Sequence, residues 1–140
     1  MVRKVLFLCT GNSVRSQIAE AIVNARLADR WQAFSAGIKP AGYVHSKAIQ
    51  VLSEIGIHHK GYSKSIDQFK DVEFDLVITV CDDAAENCPV WLGRGRRLHI
   101  ASPDPGKAQG DEDEILSAFR NVRDSIADRI IHTLSSQPQE

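Results

Sequence analysis

The sequence predicts an α/β protein, a three-layer sandwich built on a four-stranded parallel sheet. Short apolar runs, typical of strands that are covered on both faces, alternate along the chain with longer segments in which apolar residues recur every three or four positions. This alternation implies crossover connections and therefore parallel strands. With 140 residues, the chain can bury one core of ordinary size, so residues 1–140 are expected to form a single domain.

The first half of the chain predicts two strand–helix units. Residues 4–8 are a nearly continuous apolar run and predict a buried strand, and residues 16–27 place apolar side chains at helical intervals without Gly or Pro. Residues 31–35 predict the second strand. A helix is expected over residues 45–55, ended by Gly56.

The second half predicts two more strands and a long helix. Residues 74–80 have the strongest strand pattern of the chain and residues 97–100 a shorter one, and both are expected to be central or near-central strands. The acidic cluster 111–114 suits the positive end of a helix, whose apolar residues continue at three- and four-residue steps to Leu134. We expect this helix to pack on the sheet and residues 135–140 to fray.

Composition and charge exclude several classes of function. Hydrophobic residues make up 43% of the chain and charged residues 25%, as in ordinary folded domains. The net charge is −1 and the longest basic cluster is Arg94, Arg96 and Arg97, so the electrostatic signature of a nucleic-acid binder is missing. No apolar stretch approaches the roughly 20 residues that span a bilayer, and no signal peptide is recognised. We expect a cytoplasmic protein, monomeric by default, without membrane or nucleic-acid partners.

The three cysteines point to thiol chemistry. An odd number without a secretory signal argues against a static disulfide framework and leaves metal binding, catalysis or redox exchange. The histidine nearest in sequence to Cys81 and Cys88 is His99, and this spacing matches no zinc pattern. The sequence therefore predicts neither a metal nor a cofactor.

Cys9 follows the first predicted strand, where open α/β sheets bind ligands beside a tight loop and a helix N-terminus. The helix dipole and Arg15 would favour the thiolate, which is the nucleophilic form. The guanidinium of Arg15 can hydrogen-bond two oxygens of a tetrahedral anion at once. The predicted oxyanion-binding residues are Thr10, Gly11, Asn12, Ser13, Val14 and Arg15.

Other residues of this loop have predicted roles of their own. Gly11 permits a backbone conformation that a Cβ would hinder. Asn12 and Ser13 are expected to hold the curvature of the loop through side-chain hydrogen bonds to the backbone, and the Ser16 hydroxyl to point back at the Cys9 sulfur. Alternatively, Cys9 is only a small buried residue that ends a strand. The spacing of Cys, five residues and Arg-Ser at a strand-to-helix junction favours the functional interpretation.

Asp104 is the candidate acid. Displacing an oxygen from a tetrahedral oxyanion leaves an anion that must be protonated, and a carboxylic acid over the loop lowers that barrier. Asp104 lies in the turn-rich stretch 102–106, at the same carboxyl edge of the predicted sheet as Cys9. On local sequence alone, a turn aspartate is an equally good interpretation.

Four motifs carry a resemblance to a known family: CTGNSVRSQIAE at residues 9–20, FSAG at 34–37, the stretch from LVITVC at 76–81 to Cys88-Pro89, and Asp104-Pro105. The chain resembles the low-molecular-weight tyrosine phosphatase fold family and, within it, the thioredoxin-coupled arsenate reductases. For both branches the resemblance implies a cysteine nucleophile, an arginine that binds the oxyanion, and the aspartate before proline as general acid.

For the reductase branch the resemblance implies a relay of three thiols. Cys9 attacks arsenate, Cys81 attacks Cys9 and releases arsenite, and Cys88 captures Cys81 in a disulfide that thioredoxin reduces. Residues 82–87 indicate a short helix, which would hold the Cα atoms of Cys81 and Cys88 about 10 Å apart. This is beyond the roughly 7 Å limit for a disulfide. Pairing Cys81 with Cys88 would therefore require this segment to unwind.

Three other functions stay open: a protein-tyrosine phosphatase, which needs only Cys9, a reductase that uses glutaredoxin or a small thiol, and a non-catalytic anion- or partner-binding module. Gly106-Lys107 stands where phosphotyrosine enzymes of this fold carry tyrosines, which favours a reductase with phosphatase activity as a by-product. Val14 replaces a further cysteine of the reductases, and residues 101–103 replace aromatic and acidic ones.

Some reductases of the family bind potassium through residues that match Asn12, Glu20 and Ser35 together with an aspartate. The position of that aspartate is Lys64 in this chain. We expect the Lys64 ammonium to take the place of the cation and to pair with Glu20, so that the loop is stabilised without a metal.

Overall fold

The computed structural model describes residues 2–82, 91 and 93–137. Within these residues the chain alternates between strands and helices, as expected. The elements are β1 (Arg3–Cys9), α1 (Arg15–Arg26), β2 (Trp31–Gly37), α2 (Ser46–Ser53), a 3-10 helix (Ile66–Phe69), β3 (Leu76–Thr79), β4 (Arg96–His99), a second 3-10 helix (Pro105–Lys107) and α3 (Glu112–Ser135). In the described part of the chain, none of the helices combines the length and hydropathy that crossing a bilayer requires.

The four strands form one parallel sheet with the order β2-β1-β3-β4. This confirms the predicted four-stranded parallel sheet. Cys9 pairs with Gly37, and Leu8 pairs with Thr79, so the carboxyl ends of the three strands lie level at one edge of the sheet. The segments that follow β1, β2 and β3 therefore all emerge at that edge.

The prediction that residues 97–100 form a central or near-central strand was wrong. Within the described residues, β4 pairs only with β3 and lies at the edge of the sheet. Arg96, Arg97 and His99 are exposed, and a short strand with charged side chains suits an edge because it resists pairing with other chains. β3 is an inner strand as expected, but its ladder is shorter than the predicted 74–80.

Alternate residues of β1 point to opposite faces of the sheet, and both faces are covered. Val5 and Phe7 belong to the hydrophobic cluster that includes residues of all three α-helices. Leu6 and Leu8 join a second cluster with Trp91. Four aromatic residues of the second cluster meet edge to face: Phe34, Phe69, Phe74 and Trp91.

The long helix α3 begins where the acidic cluster predicted it. The Asp111 side chain accepts a hydrogen bond from the Glu114 backbone N–H, and Glu114 reciprocates, which is a capping box. The acidic first turn also interacts favourably with the helix dipole. Residues such as Phe119 and Ile126 turn the buried face of α3 towards α1 and α2.

Candidate active site

Cys9 ends β1 and is 2% exposed. Its Sγ accepts a hydrogen bond from the Asn12 backbone N–H at 3.3 Å and lies 2.9 Å from Ser16 Oγ. Ser16 Oγ itself accepts a hydrogen bond from Asn12 Nδ2 at 2.7 Å. When Cys9 is ionised, its sulfur can only accept, so the Ser16 hydroxyl then donates to it. Two donors therefore converge on Cys9 Sγ, an arrangement that stabilises a thiolate.

Asn12 is the residue on which the shape of the loop depends. It is fully buried and adopts a left-handed backbone conformation (φ 50°), which asparagine tolerates better than most residues. Its Oδ1 accepts hydrogen bonds from the Lys64 backbone N–H (2.9 Å) and from Gln17 Nε2 (3.0 Å). The backbone donor of Lys64 fixes the orientation of the amide, since only an oxygen can accept from it.

A pocket of about 410 Å³ opens beside the loop. Its lining comes from the loop, from the segment before α2 and from the segment around the second 3-10 helix. The lining residues are Thr10, Gly11, Ser13, Val14, Arg15, Ala41, Tyr43, His45, Asp104, Gly106 and Lys107. Five of the six predicted oxyanion-binding residues are among them, whereas Asn12 is not.

The start of α1 is suited to an anion. Its N-cap residue, Val14, makes no side-chain capping hydrogen bond, and the first turn carries no acidic residue. The positive end of the helix dipole therefore favours a bound anion there. Ser13 lines the same pocket with a buried Oγ that has no hydrogen-bond partner among the described residues. The backbone hydrogen bond expected of the Ser13 side chain is thus absent there.

Arg15 and Asp104 meet at the pocket. Arg15 is 4% exposed, its Nη1 donates to the Ser102 carbonyl oxygen at 3.2 Å, and its Nη2 lies 3.9 Å from Asp104 Oδ2. Asp104 Oδ1 accepts from the Gly106 backbone N–H at 2.9 Å, so Asp104 also caps the second 3-10 helix. The turn-forming and pocket-lining interpretations of this aspartate are therefore compatible.

Cys81 lies two residues beyond β3, at the same edge of the sheet as Cys9, and is fully buried. It takes part in a disulfide bond, whereas Cys9 is a free thiol. Cys88 lies outside the described residues, as does nearly all of the predicted helix at 82–87.

Sequence reasoning missed five pocket-lining residues: Ala41, Tyr43, His45, Gly106 and Lys107. His45 Nδ1 accepts a hydrogen bond from the Lys47 backbone N–H at 3.1 Å, and its ring packs 4.8 Å from that of Phe119. Burial lowers the pKa of His45, so the imidazole is neutral at pH 7. The available signal was the position of Tyr43 and His45 after the second strand, at the ligand-binding edge.

The surroundings of Lys64 do not fit a metal ion. Lys64 is 7% exposed, and its Nζ donates to Ser35 Oγ (3.3 Å) and the Tyr62 carbonyl oxygen (2.9 Å) and lies 3.9 Å from Glu20 Oε1. Burial raises the pKa of Glu20 and lowers that of Lys64, and the charge of each opposes the shift of the other. A metal cation at this place would be repelled by the Lys64 ammonium. Across the described ranges, no group of three His, Cys, Asp or Glu residues could hold a metal ion.

Comparison with known proteins shows which family this chain resembles. The family model for low molecular weight phosphotyrosine protein phosphatase matches residues 4–139. An arsenate reductase from Halalkalibacterium halodurans is 44% identical over 132 residues, which are 93% of this chain and 94% of that protein. The crystal structure of an arsenate reductase from Archaeoglobus fulgidus superposes with a TM-score of 0.80 at 29% identity, covering 94% of this chain and 99% of that one.

A thioredoxin-dependent arsenate reductase from Corynebacterium glutamicum superposes with a TM-score of 0.63 at 27% identity, covering 94% of this chain and 63% of that one. The match to the family model extends from β1 to beyond the end of α3 and includes the loop at Cys9. The chain belongs to the low molecular weight phosphotyrosine protein phosphatase family.

Proposed function

We propose that this protein is an arsenate reductase in which Cys9, Cys81 and Cys88 form a thiol relay recharged by thioredoxin. The observation that carries the proposal is the placement of a free, doubly hydrogen-bonded Cys9 Sγ at an anion pocket, with a second, oxidised cysteine at the same sheet edge. The similarity to an arsenate reductase and to a thioredoxin-dependent arsenate reductase supports arsenate as the substrate and thioredoxin as the reductant.

The first step is attack of the Cys9 thiolate on arsenic. Arg15, the N–H groups at the start of α1 and the Ser13 hydroxyl bind the arsenate oxygens and neutralise the charge that builds up on them. Asp104 supplies the proton with which the displaced oxygen leaves as water. The product is a covalent adduct between Cys9 Sγ and arsenic(V).

The next two steps transfer the electrons. The Cys81 thiolate attacks Cys9 Sγ, the sulfur–arsenic bond breaks, and its electron pair remains on arsenic, which leaves as arsenite. Cys88 then attacks Cys81 and expels the Cys9 thiolate. Two thiols have become one disulfide, and thioredoxin returns them to thiols by the same exchange.

The oxidation states of the cysteines support this order. Cys81 is in a disulfide while Cys9 is free, which is the distribution that a completed relay leaves behind. A hydrolase that needs only Cys9 has no use for an oxidised Cys81 at the same edge of the sheet.

Phosphatase activity is the second candidate function, and the size of the pocket favours it. About 410 Å³ is larger than a tetrahedral oxyanion needs, and Tyr43 and His45 line the same pocket, where they could contact the aryl group of a phosphate ester. We propose hydrolysis of small aryl phosphates as a side reaction that uses Cys9, Arg15 and Asp104 alone.

A series of cysteine-to-serine variants tests the proposal. Arsenate reduction is followed with thioredoxin, thioredoxin reductase and NADPH, and hydrolysis of p-nitrophenyl phosphate serves as the internal control for an intact pocket. Cys9→Ser should abolish both activities. Cys81→Ser and Cys88→Ser should each stop the turnover of arsenate and keep the phosphatase activity.

Two outcomes would contradict parts of the proposal. Arsenate turnover by Cys88→Ser with thioredoxin would exclude the three-thiol relay. Turnover of the native protein with glutaredoxin or glutathione but not with thioredoxin would exclude the proposed reductant. A native protein with phosphatase activity alone would be a phosphatase, and one with neither activity a binding module.

A further inference from the structure

A chain of buried hydrogen bonds leads from the Cys9 loop to the segment before Lys64. Gln17, which is fully buried, donates from Nε2 to Asn12 Oδ1 (3.0 Å), to the Asn12 carbonyl oxygen (3.2 Å) and to the Tyr62 carbonyl oxygen (2.9 Å). Its Oε1 lies 2.6 Å from His59 Nε2. The three acceptors around Nε2 fix the orientation of the Gln17 amide, so Oε1 must accept and His59 Nε2 must donate.

We infer that His59 is a positioning residue for Cys9, acting through Gln17 and Asn12. His59 holds the Gln17 amide, Gln17 holds the Asn12 side chain, and Asn12 donates to the Ser16 hydroxyl that faces Cys9 Sγ. The inference rests on the proposed function, because a positioned thiolate matters only if Cys9 is the nucleophile. Nothing in the relay itself requires His59, which makes the inference independent of Cys81 and Cys88.

Gly61 gives the imidazole its room. A Cβ on residue 61 would overlap His59 Nε2 and would lie 2.5 Å from Gln17 Oε1. The backbone at Gly61 has no positive φ, so the requirement for glycine here is space rather than conformation. Any side chain at this position would separate His59 from Gln17.

The surroundings of His59 keep it in the required form. Its side chain is 8% exposed. Burial lowers the pKa of His59, and the positive charge of Lys64 lowers it further, so the ring is neutral near pH 7. A neutral ring has one N–H group, and the contact with Gln17 places it on Nε2. Glu20 Oε2, at 3.9 Å from the same nitrogen, is too distant to compete for that proton.

The test measures the reactivity of Cys9 in the full chain. In a Cys81→Ser, Cys88→Ser background, Cys9 is the sole thiol, and its rate of alkylation by iodoacetamide is recorded from pH 5 to 10. His59→Ala and Gly61→Ala should each move the pH midpoint of alkylation up by about one unit, which is a tenfold loss of thiolate below the midpoint. His59→Gln, whose amide can donate from nearly the same place, should restore the native midpoint.

Steady-state hydrolysis of p-nitrophenyl phosphate by the same variants gives a second readout. At a pH below the native midpoint of alkylation, kcat should fall about tenfold in His59→Ala and Gly61→Ala, with KM within about twofold of native, because the thiolate population falls while the anion-binding groups are unchanged. The matched control is His58→Ala, which removes the neighbouring, exposed histidine. It should leave both readouts at their native values.

The possible results are distinguishable. A native midpoint near 8.5, the value of a free thiol, would refute the proposed function itself. A low native midpoint that is unchanged in His59→Ala would refute only the role of His59, as would an equal shift in His58→Ala. If His59→Ala does not fold, Gly61→Ala and His59→Gln decide. A shifted midpoint in Gly61→Ala together with a native midpoint in His59→Gln supports the inference. Any other combination of results for these two variants overturns it.

Discussion

Replacing Asn12 by alanine should destabilise the protein by about 3–5 kcal/mol. Alanine cannot accept from the Lys64 backbone N–H, and a buried donor left unpaired costs about 1–3 kcal/mol. Gln17 and Ser16 each lose one partner but keep others, which adds roughly 1 kcal/mol. Holding alanine at φ 50° adds at least about 1 kcal/mol. The sum is a large share of the roughly 5–15 kcal/mol that stabilises an ordinary domain.

Urea unfolding followed by tryptophan fluorescence measures the loss, since Trp31 and Trp91 are both nearly fully buried. With a typical slope of about 1–3 kcal/mol per molar, the midpoint should fall by roughly 2 M. Asn12→Gly is the matched control: it loses the same side-chain hydrogen bonds but adopts the left-handed conformation freely, so it should retain about 1 kcal/mol more stability than alanine. A loss below about 1 kcal/mol for Asn12→Ala, or a glycine variant less stable than the alanine variant, would refute this view of the loop.

Three further predictions concern the pocket and its surroundings. Arg15→Lys should keep the fold but weaken phosphate binding and lower kcat at least tenfold, because an ammonium cannot hydrogen-bond two oxygens as the guanidinium fork does; near-native phosphate affinity by calorimetry would contradict this. In the folded protein, the pKa values of His45 and His59 lie below the ordinary 6.5. Below pH 6.5 the unfolded chain therefore binds more protons than the folded one. The stability that these histidines contribute above pH 6.5 should be lost as the pH falls through their lowered pKa values. Urea midpoints at pH 7.5 and 5.5 should therefore differ less in His59→Gln than in the native protein. Reductase activity should be the same in potassium and sodium, because the Lys64 ammonium lies beside Glu20; a severalfold rise specific to potassium would refute this.

The loop at Cys9 was predictable because its signals are local. A buried strand and the spacing of Cys9, Arg15 and Ser16 lie within a short stretch, and the structure places Ser16 Oγ beside Cys9 Sγ and Arg15 in the pocket lining. The expectation that a Cβ would hinder the backbone at Gly11 was wrong, because Gly11 has no positive φ and a Cβ there would make only ordinary contacts; the left-handed residue of the loop is Asn12. The predicted pairing of Lys64 with Glu20 came from the resemblance of the chain to a known family rather than from a local pattern. The structure places the Lys64 ammonium beside the Glu20 carboxylate.

Features that depend on contacts between distant segments were missed. The place of β4 at the sheet edge follows from strand order, and its short apolar pattern carries no information about neighbours. His45 and Tyr43 belong to the pocket only because the segment after β2 returns beside the loop, through hydrogen bonds such as that from the Ala41 N–H to the Gly11 carbonyl oxygen. The bond between His59 and Gln17 joins residues 42 positions apart. No periodicity in the sequence reports such a contact.

A single turnover without reductant tests the central claim most directly. The fully reduced protein, with three thiols per chain, is mixed anaerobically with excess arsenate, and arsenite and remaining thiols are counted after quenching. The relay predicts one arsenite released and two thiols lost per chain, and neither change in Cys9→Ser. Arsenite formation far below one per chain, with all three thiols still titratable in the native protein, would contradict the proposed reductase function.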